Sequence, residues 1–158
     1  MSMKKVQAKV VVIGPQRQER FKAMTPIYYR NANAAIIVFD LSCHSTFVQC
    51  KRWTIELLRN VDYETSVVLC LVGNKTDLKN ERQVTCEEAE EYAYSINAQY
   101  FETSALNNEG INDVFSNIAK SIIAKTQETE LQDLKAFLDS ENKNTIVANT
   151  SKTNVYCC

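Results

Sequence analysis

Three unbroken apolar runs stand out along the chain: Val10 to Ile13, Ala34 to Leu41 and Val67 to Val72. Short continuous runs bounded by turn residues suit strands covered on both faces, the usual state of a parallel sheet. A weaker fourth strand is predicted over Gln99 to Glu102. Between the runs the apolar spacing changes to three and four residues. Over Thr46 to Arg59, the side chains of Phe47, Cys50, Trp53, Leu57 and Leu58 mark one helical face. Thr85, three residues before Glu88, forms a capping box opening a second helix that reaches about Ile96. Ile111 to Ala124 carries Val114, Phe115, Ile118, Ala119, Ile122 and Ile123 on the face of a third. Strands alternating with helices predict an α/β fold, an open parallel sheet with flanking helices.

Composition adds boundaries to that picture. At 158 residues there is room for one domain with a single core. With 45% apolar residues, 23% charged residues and a net charge of -1, no basic excess points to nucleic acid. No apolar run approaches the roughly 20 residues of a membrane-spanning helix, and the opening MSMKKVQAK lacks the apolar core of a secretory signal. The expected compartment is the cytoplasm. Cys43, Cys50, Cys70 and Cys86 are scattered singly, without a Cys-x-x-Cys pair or a histidine cluster, so they read as reduced, mostly packed thiols. His44, the single histidine, is placed in a loop before a helix and given no catalytic role. After Lys125 the chain turns polar. The expectation is a domain over 1–126 and a flexible tail over 127–158, with one helical turn near Leu131 to Leu138.

The strongest chemical signal follows the third strand, in Asn74-Lys75-Thr76-Asp77. A carboxylate offers two acceptors in one plane, which fit the adjacent ring N–H and exocyclic amine of a guanine edge. Adenine lacks that donor pair, so an aspartate here selects guanine. Asn74 bonds the other base edge or ties loops together, and the Lys75 stem lies along the base face. A second signal, Glu102-Thr103-Ser104-Ala105, follows the fourth strand. Small residues there let the backbone approach a base and point an N–H at its carbonyl oxygen. Both segments sit at carboxyl ends of strands, where open α/β sheets bind ligands.

With these residues in place, the chain resembles the Rab-type small GTPases of the Ras superfamily. The resemblance covers residues 6 to about 125 and the closing cysteines. It rests on Gln18-Glu19-Arg20-Phe21, Tyr28-Tyr29-Arg30-Asn31-Ala32, Val38-Phe39-Asp40-Leu41, Asn74-Lys75-Thr76-Asp77, Thr103-Ser104-Ala105 and Cys157-Cys158. It implies a truncated P-loop NTPase type sheet, with strand order 1-4-5-6 in the family's numbering. It also implies GTP or GDP as ligand, and a role in vesicle and membrane trafficking. Guanine contacts would fall to Asn74, Lys75, Asp77, Ser104 and Ala105. Gln18 matches the water-positioning glutamine of catalysis, and Phe21, Met24, Tyr28 and Tyr29 match a partner-binding surface.

The family's first strand leads into the phosphate loop G-x-x-x-x-G-K-[ST], which holds the phosphates and Mg²⁺. Here Gly14 runs into Pro15-Gln16-Arg17, and the only other glycines are Gly73 and Gly110. The threonine of the first switch and the Asp-x-x-Gly before Gln-Glu-Arg-Phe are also missing, so no Mg²⁺ site is found. The sequence thus predicts the base-reading half of a guanine-nucleotide site without its phosphate-binding half, an inactive GTPase as written. One sheet face should also lose the helix that shared its cover with the Ile111 to Ala124 helix, leaving an open apolar face and a free edge strand.

Cys157-Cys158 resembles the Rab prenylation site. Two geranylgeranyl chains, at about 0.8 kcal/mol per buried CH₂, would anchor the protein to the cytosolic face of intracellular membranes. The implied partners are Rab effectors, the prenylation escort protein and the GDP-dissociation inhibitor. Three readings stay open: a trafficking switch by descent, a non-enzymatic interaction module or truncated isoform, and a transcript lacking an exon between the codons for Gly14 and Pro15.

Overall fold

The computed structural model describes residues 7–14, 29–61 and 67–148, with side chains described as far as 137. Four strands form one parallel sheet in the order β1 (Val10–Ile13), β2 (Ala34–Asp40), β3 (Val68–Asn74) and β4 (Gln99–Thr103). All three pairings are parallel. This is the open α/β sheet the sequence predicts, and among the described strands chain order equals spatial order, the order that the resemblance implies.

Alternate side chains divide the core in two. One cluster is built on Ile13, Ala35, Ile37, Phe39, Leu69 and Leu71, and the helices α1 (His44–Asn60) and α2 (Cys86–Ser95) cover it. The other is built on Ala34, Ile36, Val68, Cys70 and Val72 and packs against Val114, Ile118 and Ile122 of the helix α3 (Ile111–Ala148). Helix α1 buries Phe47, Cys50, Trp53, Thr54 and Leu57. Leu58, expected on that face, is 44% exposed, because it lies one position past the row that meets the sheet. His44 is the first residue of α1 rather than part of a preceding loop. Helix α2 starts as predicted, with the Thr85 hydroxyl accepting a bond from the Glu88 N–H at 3.2 Å.

The second face is thinly covered at its β1 end. Val12 is 57% exposed and Phe115 53%, and a cavity of about 220 Å³ opens between them over Ile36, Val38 and Val72. Phe115 and Ile123 were expected on the packed face of their helix; both stand exposed.

Residues up to Ile122 form one compact unit and those from Ile123 a second. The sequence reading ended the third helix at Ala124 and allowed one further turn, whereas α3 runs on to Ala148. No glycine or proline follows Gly110, and Gln127 to Lys135 is mostly Glu, Gln, Leu and Lys. Such residues propagate a helix by local propensity once it has started, even with Leu131 and Leu134 exposed. Among the described residues no helix is long and apolar enough to cross a membrane.

Candidate functional site

In a parallel sheet the carboxyl ends of the strands share one edge, so the segments after β2, β3 and β4 meet there. Asp40 is level with Asn74, and Asn74 with Thr103. Gly73 allows the row to close. A methyl group there would stand 2.8 Å from Leu41 Cδ2 and 2.9 Å from the Tyr100 hydroxyl.

The chain leaves β3 in a turn at Lys75, whose φ of 74° directs the side chain across the mouth of the sheet. The turn is tied to β4 by the Thr76 N–H, which donates to Thr103 O at 3.1 Å, and closed by Leu78 N–H to Lys75 O at 3.0 Å. Asn74 Oδ1 accepts from the Thr103 hydroxyl at 3.2 Å and from the Ala105 N–H at 3.1 Å. Asn74 therefore serves the loop-tying role, and the Ala105 N–H points at Asn74. The Ser104 hydroxyl donates to Asp77 Oδ1 at 2.5 Å and accepts from the Asn107 N–H at 3.2 Å. That bond fixes the Asp77 carboxylate and leaves Oδ2 and the second lone pair of Oδ1 to accept from a ligand.

The loop from Ser104 to Glu109 closes on itself through paired backbone bonds of 3.1 and 3.0 Å between those two residues. Gly110 follows with φ of 72° and passes so close to Glu102 O that a methyl group would lie 2.5 Å from it. Below the loop, the two terminal guanidinium nitrogens of Arg82 donate to the Glu102 carboxylate, and the Tyr100 hydroxyl donates to Oε1 at 2.7 Å. The Arg82 bonds outweigh burial and hold the Glu102 carboxyl below its ordinary range.

The five residues predicted to read guanine, Asn74, Lys75, Asp77, Ser104 and Ala105, thus come together on one edge of the sheet. Gln18, Phe21, Met24, Tyr28, Cys157 and Cys158 lie outside the described residues. Tyr29, assigned to a partner surface by resemblance, is corrected: it is 2% exposed within the first core, and burial raises its hydroxyl pKa to about 12. Cys50 and Cys70 are buried as predicted, and burial raises their thiols to about 12 and 11. Cys86, grouped with them by sequence, is exposed at the first position of α2, where little of the sheet reaches it.

Sequence reasoning missed Asp40. Its Oδ2 lies 2.6 Å from Lys75 Nζ, and its Oδ1 accepts from the Ser42 N–H at 2.9 Å and hydroxyl at 2.6 Å. The only signal available was an acid closing an otherwise apolar strand at the ligand-binding end.

An open parallel α/β sheet with polar loops gathered beyond the carboxyl ends of adjacent strands is the frame in which α/β proteins bind ligands. Comparison with known proteins narrows this. The family model described as the Ras family matches residues 1–124. Ras-related protein Rab-21 is 44% identical over 113 residues in both Bos taurus and Homo sapiens, covering 72% of this chain and 50% and 49% of those proteins. Ras-related protein RabJ of Dictyostelium discoideum is 47% identical over 106 residues, 67% of this chain and 41% of its own. The chain belongs to the Ras family and is of Rab type. It spans about half the length of the curated relatives it matches.

Proposed function

We propose that this chain is a Rab-type protein of vesicle and membrane trafficking whose site binds the guanine base, without tight hold on GTP and without hydrolysis. The observation that carries the reading is the Ser104–Asp77 bond of 2.5 Å, which presents an oriented carboxylate where β3 and β4 end. Guanine would donate its ring N–H and exocyclic amine to Asp77, and the Lys75 stem would lie along the ring. Asn74, by holding Thr103 and Ala105, keeps both loops at the distance a base needs.

The phosphate half has no such support. The glycine-lysine-serine element and the Mg²⁺-binding hydroxyls of the family's pattern are missing from the sequence. Each charge-assisted bond lost is worth about 1.5 to 3 kcal/mol, and losing several costs many decades of affinity. Gln18 then has no γ-phosphate to act beside. In this reading the protein works as a scaffold that Rab effectors, the prenylation escort protein and the GDP-dissociation inhibitor could engage. Geranylgeranyl groups on Cys157 and Cys158 would hold it on the cytosolic face of a membrane.

A fluorescent GDP analogue titrated with and without Mg²⁺, beside an Asp77→Ala variant, tests the proposal. Weak binding that ignores Mg²⁺ and is lost in Asp77→Ala is expected. Magnesium-dependent binding tighter than micromolar would restore a nucleotide switch. Binding unchanged in Asp77→Ala would remove the guanine reading.

A further inference from the structure

We infer that Asp40 is a positioning residue of the base site, holding Lys75 extended across the mouth of the sheet so that its stem is ordered before a ligand arrives. The inference rests on the guanine reading above. Lys75 is fixed at both ends. Its backbone sits at φ 74°, in a turn bonded to β4, and its ammonium lies 2.6 Å from Asp40 Oδ2 at the end of β2. The four methylenes between those points span the interval from β3 to β2.

Asp40 is itself anchored more firmly than a surface partner. Its carboxylate is 14% exposed, against 41% for the Lys75 side chain. The Ser42 N–H and hydroxyl converge on Oδ1, leaving Oδ2 turned to the ammonium. The Asp40 N–H donates to Thr46 Oγ1 at 2.9 Å, and the Thr46 hydroxyl donates to Cys43 O at 2.7 Å. The aspartate is thereby locked to the first turn of α1. Burial alone would raise its carboxyl, yet Lys75 and Ser42 hold it below its ordinary value. Asp77 and Cys43 also face Lys75, but Asp40 is the partner its ammonium touches.

A lysine left loose loses rotamer freedom when a base settles on it, and one already held does not. Removing Asp40 should therefore weaken guanosine by about three- to tenfold, the equilibrium equivalent of ordering one long side chain. Preference for guanosine over adenosine should persist, because Asp77 alone reads the donor pair. Affinity and selectivity separate between the two aspartates.

The test uses the full chain, Asp40→Asn, which retains an acceptor for Ser42, and Ser42→Ala, which removes the hydroxyl bond to Asp40 and leaves the N–H bond in place. Brief acetylation at pH 8 followed by peptide mass analysis compares Lys75 with exposed Lys79 in the same molecule. Lys75 should react severalfold faster relative to Lys79 in Asp40→Asn, with Ser42→Ala between. Guanosine affinity should fall in the same order with the guanosine-to-adenosine ratio unchanged. Equal Lys75 reactivity in all three proteins would overturn the inference, as would unchanged guanosine affinity in Asp40→Asn. If the unaltered protein binds no guanosine while Lys75 reactivity still responds to Asp40, the guanine reading fails. Asp40 is then a structural partner of Lys75 and nothing more.

Discussion

Replacing Gly110 with alanine should loosen the loop that carries Ser104 and Ala105 and destabilise the whole domain. Gly110 has a φ of 72°, where an L-residue costs about 1 to 2 kcal/mol. The added methyl would lie 2.5 Å from Glu102 O and 3.3 Å from Thr103 Cγ2. Neither neighbour can retreat freely, since Glu102 and Thr103 are paired with Gly73 and Asn74 in the sheet. Overpacking of this kind adds about 1 to 3 kcal/mol. The lower chain entropy of an unfolded alanine returns about 0.4 to 1 kcal/mol. A net loss of about 1 to 5 kcal/mol follows. Gly14→Ala provides the comparison: among the described residues its methyl would meet nothing nearer than Val38 O at 3.9 Å, and its φ lies outside the positive region. Urea unfolding followed by circular dichroism measures both. With m of about 2 kcal/mol/M, the Gly110→Ala midpoint should fall by about 0.5 to 2.5 M, while Gly14→Ala should stay within about 0.3 M. Equal midpoints at equal m would refute the reasoning that backbone conformation and the close approach to β4 fix that loop.

Neighbouring positions on β1 should behave oppositely in the same assay. Ile13→Ala, at a buried site, should cost about 2 to 4 kcal/mol, and Val12→Ser, at the exposed cavity rim, less than about 1. Glu102 contributes to pH dependence with a definite sign. Its folded pKa lies below the ordinary 4.5, so its stabilisation is full above about pH 4.5 and disappears as pH falls through the folded value. A Glu102→Gln variant should lose that part of the acid-side slope in urea midpoints measured between pH 3 and 6. Under native conditions iodoacetamide should modify exposed Cys86, whereas Cys50 and Cys70 should need denaturant, as peptide mass analysis of the labelled protein would show.

The sheet was legible because its strands are apolar on both faces. Such runs as Ala34 to Leu41 have few other stable environments, and the structure bounds them within a residue or two. The meeting of the residues proposed to read guanine was legible for a related reason. Asn74 to Asp77 and Thr103 to Ala105 are short polar motifs placed directly after strands, and a parallel sheet carries them to one edge. Three features escaped. Lys75 bonds across strands to Asp40, a contact that periodicity along one element cannot reveal. Helix α3 continues past the end of its amphipathic pattern, because Glu, Gln, Leu and Lys sustain a helix without a packed face. Tyr29 carried a resemblance to a surface role, while its ring fills the core beside Ile13 and Phe39. A motif identifies a residue's ancestry more readily than the direction its side chain takes.

The central claim, that Asp77 reads the guanine donor pair from a site needing no phosphate, is tested most directly by amide-resolved NMR titration with guanosine, inosine and adenosine. Inosine retains the ring N–H but lacks the exocyclic amine. The account predicts shifts at Asn74, Lys75, Asp77, Ser104 and Ala105, with guanosine preferred over inosine and adenosine weakest, and loss of the guanosine-over-inosine preference in Asp77→Ala. Equal response to all three nucleosides, or guanosine shifts confined to residues away from the ends of β3 and β4, would contradict it.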